Sequence, residues 1–160
     1  MAGDLTPDRA QRLYQEMLDR MGAAYESGDF DDYCEVIEWP FTLATFDHTI
    51  TMRTRSDLRV MFDAFRKRLE QIGVTQFVRT CLAAQFQGPE RIEGTHVSSC
   101  LRGGIYIEDP FPVTSIMKLR GDLWKAASSQ NALPDPSLFN QVMVEAGRKI
   151  CPKGPETTRD

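Results

Sequence analysis

VTQFVRTCLAAQFQ (residues 74–87) turns at Gly88-Pro89 and returns as RIEGTHVSSCLRGGIYI (residues 91–107). β-Branched and aromatic residues recur in both runs, and Gly or Pro bounds each, as in paired strands. Beyond Asp109-Pro110 and Pro112 the pattern continues as VTSIMKLR (113–120), turns at Gly121-Asp122 and closes with LWKAASSQN (123–131). Together these runs predict an antiparallel meander from Val74 to Asn131. One face of such a sheet needs covering, and the helical segments that precede it can supply the cover.

Those segments are legible from their ends and stripes. Thr6-Pro7 reads as a helix start, a hydroxyl N-cap before a proline whose missing N–H costs nothing there. Leu13, Met17, Met21 and Ala24 follow at helical spacing, widened by Tyr14, Leu18 and Tyr25, until Gly28 ends the run. Asp29 starts a shorter helix with Phe30, Tyr33 and Ile37 inward and Pro40 as its stop. FTLATFDHTITMRT (41–54) alternates on both sides of Asp47-His48, which predicts a hairpin with that pair in its turn. Thr54 and Asp57 form an acidic capping box. The helix they open carries Leu58, Met61, Phe62, Phe65, Leu69 and Ile72 on one stripe, and Phe62 and Phe65 are expected deep in the core.

After Leu133, Asp135-Pro136 predicts the start of a terminal helix bearing Leu138, Phe139, Val142, Met143 and Ala146. Such a helix covers its own sheet, a pocket mouth or a neighbouring subunit. Residues 1–133 read as one domain, 134–151 as a C-terminal helical extension and 152–160 as a disordered polar tail.

Composition bounds the partners. With 160 residues, 41% hydrophobic and 26% charged, the chain has the make-up of a globular domain with its own core. A net charge of −4 lacks the cationic footprint that nucleic acid attracts. No apolar run approaches the roughly 20 residues of a membrane span. The start MAGDLTPDR has neither the basic head nor the apolar core of a signal peptide, so a cytoplasmic location is expected. Cys34, Cys81, Cys100 and Cys151 are scattered without neighbouring histidines, so no metal site is expected. Nor does any glycine-rich nucleotide fingerprint point to a cofactor. Cys81 and Cys100 fall on strands read as partners, where a disulfide is possible if their Cβ atoms are close; reduced thiols are the alternative.

The order helix, short helix, hairpin, long helix and meander, with Trp124-Lys125 after the Gly121 turn and the strand GTHVSSCLR, resembles the nuclear transport factor 2-like superfamily. The SnoaL-like branch is the nearest in feel. The resemblance spans Asp8 to Asn131 and implies a cystatin-like α+β cone, with helices packed into a strongly bent, mostly antiparallel sheet around an apolar pocket. It also implies a homodimer joined through the sheet. The superfamily holds isomerases, dehydratases, epoxide hydrolases and cyclases as well as non-catalytic modules, so fold leaves function open.

His96 is the foremost candidate for chemistry. Period two places His96, Ser98, Cys100 and Arg102 on one face and Thr95, Val97, Ser99 and Leu101 on the other. With the polar face inward, His96 is a general base and Arg102 an anchor for an anionic oxygen. Alternation with apolar residues inward gives the opposite placement, with His96 outside and Val97 and Leu101 in the core. Arg79 is either a pocket cation or an outward interface residue. Tyr14 and Tyr33 are catalytic hydroxyls or core-edge tyrosines, and Trp39, Phe62 and Trp124 are ligand-binding or packing aromatics.

Acids are scarce inside the meander: Glu93 and Glu108 lie near strand ends, Asp109 before a proline and Asp122 in a turn. That argues against carboxylate-based isomerase and epoxide hydrolase chemistry. Three readings follow. One is a binding protein for a hydrophobic small molecule; another is a cofactor-independent lyase or isomerase using His96 with Tyr14 or Tyr33; the third is a non-catalytic dimeric interaction module. A buried His96 with a tyrosine in reach across a cavity would mark the second, and a filled cone the third. If the second holds, aromatic or polyketide-like molecules are the expected substrates.

Overall fold

A computed structural model describes residues 3–133, 137–151 and 156–157. Helix α1 (Pro7–Ser27) is capped by the Thr6 hydroxyl, which accepts from Arg9 N at 3.3 Å, and ends at Gly28 with φ of 77°. Its stripe of Ala10, Tyr14, Met17, Leu18, Met21 and Ala24 is buried. Helix α2 (Phe30–Glu35) is shorter than its predicted span. Strand β1 (Ile37–Ala44) begins before Pro40, so Ile37 and Trp39 are extended. The residue before a proline is pushed from helical to extended backbone, which moves the helix end upstream.

β1 turns through Thr45 to Asp47 into β2 (His48–Met52), with the Thr45 hydroxyl accepting from the N–H groups of Asp47 and His48. Helix α3 (Arg55–Gln71) opens on the capping box of Thr54 and Asp57. The meander follows as β3 (Gln76–Phe86), β4 (Arg91–Arg102), the two-residue β5 (Ile105–Tyr106), β6 (Phe111–Arg120) and β7 (Leu123–Asn131). Helix α4 (Leu138–Ile150) starts from Ser137, whose hydroxyl accepts from Asn140 N at 3.0 Å. The predicted start at Asp135-Pro136 lies outside the described residues. β8 (Glu156–Thr157) pairs with β2, a strand within the expected disordered tail, whose other residues lie outside the described ones.

The sheet order is β3-β4-β6-β7-β1-β2-β8, with β5 on β4. Among the described residues all pairings are antiparallel except β1 with β7. Sequence patterning shows strands but not this parallel join, which brings together residues over eighty positions apart. Register slips between Cys81 and Ala83, between Ile116 and Met117 and between Ile37 and Thr42 mark bulges. A bulge bends its strand and raises the local twist, which curls the sheet around α1 and α3.

α1 also guards the edge strand. Gln15 Oε1 accepts from Cys81 N at 2.8 Å and its Nε2 donates to Arg79 O at 3.1 Å, occupying backbone groups that an open edge would leave for another chain. α4 packs on α3 and β2 and places Met143 and Ala146 in the same core as α1 and α3. The terminal helix therefore covers its own domain.

Candidate functional site

The inner face of β4 is the polar one. Gly94, His96, Ser98 and Cys100 point into the cone and are buried, whereas Val97 and Leu101 lie outside and are half-exposed. This corrects the placement that simple alternation favours. The reason is a hydrogen-bond partner: Tyr14 on α1 sets its hydroxyl 2.6 Å from His96 Nδ1. Tyr14 is 0% exposed and His96 3%, so bulk solvent is not an alternative partner for either. A buried imidazole so matched loses little by leaving water.

Beside this pair lies a cavity of about 90 Å³. Its walls are mostly apolar, with Met17, Leu18 and Met21 from α1 and Val113 and Met117 from β6. Polar groups converge at a few points. Tyr25 Oη donates to Tyr33 Oη at 3.2 Å, Ser115 and Ser129 share a hydrogen bond of 2.8 Å, and Ser98 and Asn131 complete the set. Few, placed polar groups in an apolar hollow are the ordinary make-up of a small-molecule site.

Arg79, on β3, lines the same cavity. Its Nη2 donates to Leu18 O at 3.0 Å and its guanidinium carbon lies 5.2 Å from the centre of the Phe77 ring. Burial draws its pKa down from the ordinary value, against the pull of Tyr33, Tyr25, Tyr14 and Asp19. The charge remains, since guanidinium does not titrate in the accessible range.

Burial also governs the pair. Desolvation lowers the His96 pKa to about 3, with the nearby Arg79 charge acting in the same direction, so the imidazole is neutral near pH 7. The Tyr14 phenol is raised to about 12, by burial first, with a hydrogen bond from Ser115 partly offsetting it. Burial raises Tyr25 and Tyr33 as well. Around the cavity Arg79 therefore carries the one fixed charge among the described lining residues.

Other sequence candidates fall elsewhere. Arg102 shares the His96 face, but the strand has by then run past the rim, and its exposed guanidinium donates to Ile72 O at 3.4 Å. Trp39 sits at a separate surface cleft with Cys34, Glu35, Arg53 and Arg55. Trp124 tilts against Phe86, with ring centres 6.0 Å apart. Phe62 is fully buried behind the cavity wall, stacked on Tyr25 at 4.8 Å and tilted against Tyr33 at 5.1 Å. Phe65 is half-buried, because it faces the cavity and stacks on Phe139 of α4. All four cysteines are free thiols; Cys81 faces His96 across the strands and Cys100 faces Phe77, so the two are not opposite each other.

Sequence reasoning missed Tyr25, Ser115, Ser129 and Asn131. One signal was present: Ser115 alternates with Val113 and Met117 on β6, and small polar residues in an otherwise apolar inner row mark a wall facing a hollow.

No protein-family model matches the chain, and no functionally curated protein does. Solved structures do match in shape. A protein of unknown function from Mycobacterium tuberculosis is 14% identical, with 99% of this chain and 100% of that chain aligned at a TM-score of 0.65. A protein of unknown function with a cystatin-like fold from Nostoc punctiforme is 14% identical over 85% of this chain and 98% of that one, TM-score 0.64. A proposed dehydratase of the nuclear transport factor 2-like family from Streptomyces avermitilis is 15% identical over 81% and 99%, TM-score 0.61. The chain thus has the cystatin-like α+β fold of nuclear transport factor 2-like proteins; at these identities the match speaks for fold alone.

Proposed function

We propose that the protein is a cofactor-independent lyase or isomerase, dehydratase-like in chemistry, that moves a proton on a small molecule held in the cone. The observation that carries this reading is the 2.6 Å contact between Tyr14 Oη and His96 Nδ1, buried at the wall of the cavity. A neutral imidazole with its proton on Nε2 accepts the phenol's hydrogen at Nδ1. The Tyr14 oxygen then keeps lone pairs for a substrate hydrogen.

In the forward step Tyr14 takes a proton from a carbon beside a carbonyl while its own proton passes to His96 Nδ1. The substrate becomes an enolate and His96 an imidazolium, a charge that burial and Arg79 disfavour and that the enolate's own negative charge offsets as it forms. The proton then returns through Tyr14, either to a departing hydroxyl, releasing water, or to a different carbon, completing an isomerisation. Each route balances without a metal or redox partner. The Tyr33 hydroxyl accepts from Tyr25 and so keeps its own hydrogen, which makes it the donor available to a developing oxyanion.

The cavity's size favours small substrates over the polyketide-like ones expected above. About 90 Å³ is less than the roughly 150 Å³ hollow that holds one benzene.

The direct test is solvent deuterium wash-in, followed by NMR, across a panel of small ketones and 3-hydroxy carbonyl compounds. Wild-type protein exchanges at least one member, and Tyr14→Phe and His96→Gln each slow it by about 10²–10⁴-fold while circular dichroism stays unchanged. Full exchange in His96→Gln would replace this reading with that of a non-catalytic binding protein. In the same proposal the protein is a homodimer joined through the outer face of its sheet, supported by the apolar residues Val78 and Leu82 exposed there.

A further inference from the structure

We infer that the ligand of this cavity is a small monocarboxylate whose carboxylate is gripped by Arg79. Three observations carry it, and it rests on the cavity being the site of action proposed above. The first is a charge with no counter-charge in contact, Asp19 acting on it only from a distance. None of the ion pairs among the described residues includes Arg79, and its guanidinium donates a single protein hydrogen bond, to Leu18 O. A guanidinium has five N–H donors in a fork that fits a carboxylate edge-on. Half-burying it with most donors unmet by the protein leaves a place for an anionic partner.

The second is position. Arg79 stands directly across the paired strands from Ser98 and one inward-facing place from Cys81, which faces His96. Its field acts on Tyr14, Tyr25, Tyr33 and His96 together. A carboxylate bound there has its neighbouring carbons beside the Tyr14–His96 pair. The third is charge and size. With the tyrosines and His96 neutral, the described lining offers one positive charge, which a monoanion neutralises and a phosphate dianion would exceed. A cavity of about 90 Å³ fits an acid of about three or four carbons.

The arrangement has a consequence for the base. Arg79 is one of the causes that keep His96 from accepting a proton, second to burial. An anion on Arg79 cancels that cause, so occupancy raises the basicity of His96 when a substrate is present.

Arg79 also ties β3 to α1, so a purely structural role is the competing account. Propionate and its neutral isostere propionamide separate the two when titrated into the intact protein and followed by ¹⁵N–¹H and imidazole NMR shifts. Propionate binds saturably and shifts the His96 ring and Ser98 resonances, and propionamide at equal concentration does not. Arg79→Met weakens propionate by about 10- to 150-fold, the range of a hydrogen bond to a charged group. Arg79→Lys retains part of the binding, which a role in folding alone would not predict. His96→Gln still binds propionate; binding there without any exchange in wild-type protein would sink the enzymatic reading and leave this one standing. Equal binding of propionamide, or undiminished propionate binding by a folded Arg79→Met protein, overturns the inference while leaving proton transfer to be judged separately.

Discussion

His96 ties stability to pH through its buried imidazole. Its folded pKa is about 3 against an ordinary 6.5, so between those values the unfolded chain binds a proton that the native protein refuses. Stability from this group is therefore complete above pH 6.5 and falls as pH drops toward 3, at up to about 1.4 kcal/mol per pH unit. Urea midpoints measured from pH 7 to 4 should decline more steeply in wild type than in His96→Gln; equal slopes would mean the imidazole titrates normally. Gly94 serves the same pair from a different direction. A Cβ added there would fall on the Tyr14 ring, so glycine at this inner position clears the space the phenol needs to reach His96. Gly94→Ala is expected to cost about 1–3 kcal/mol by overpacking and to abolish deuterium wash-in. Retained exchange with unchanged stability would show that the ring has room to move.

Helices α3 and α4 close the cone, and their aromatic residues divide between core and cavity. Phe62 is fully buried among Tyr25, Phe30 and Tyr33, so Phe62→Ala should lose about 3–5 kcal/mol in denaturant titration. Phe65, one turn on, borders the cavity, where truncation enlarges an existing hollow and removes less packing; about 1–3 kcal/mol is expected. A loss at Phe65 equal to that at Phe62 would contradict the assignment of faces. Phe139 from α4 meets Phe65, Phe77 and Phe111 at 5.8–6.1 Å, joining the terminal helix to α3, β3 and β6. Glu108 steadies that helix by accepting from Leu138 N at 2.8 Å.

The whole molecule presents two unlike faces of one sheet. Inside is the cavity; outside, Val78 is 42% and Leu82 58% exposed, with the half-exposed Val97 and Leu101 on the neighbouring strand. Because Gln15 occupies backbone groups of β3, association is expected face to face and not edge to edge. Sedimentation at micromolar concentration should give a dimer that Leu82→Lys with Val97→Lys dissociates. A wild-type monomer under those conditions removes the proposal.

Local signals determined much of this protein. Thr6-Pro7, the Thr54–Asp57 capping box and the glycine-bounded strand runs act within a few residues, so α1, α3 and the meander were legible before any contact was known. The two faces of β4 were legible as well, since period two follows from backbone geometry. Which face turns inward was not, because it depends on Tyr14, 82 positions away, supplying a hydrogen bond in a cone that is hollow. The same holds for the parallel join of β1 to β7, for Arg79 lining the cavity while Arg102 passes the rim, and for α4 sealing one end. Each is fixed by contacts between distant segments, where neither propensity nor spacing carries information and only the closed sheet decides.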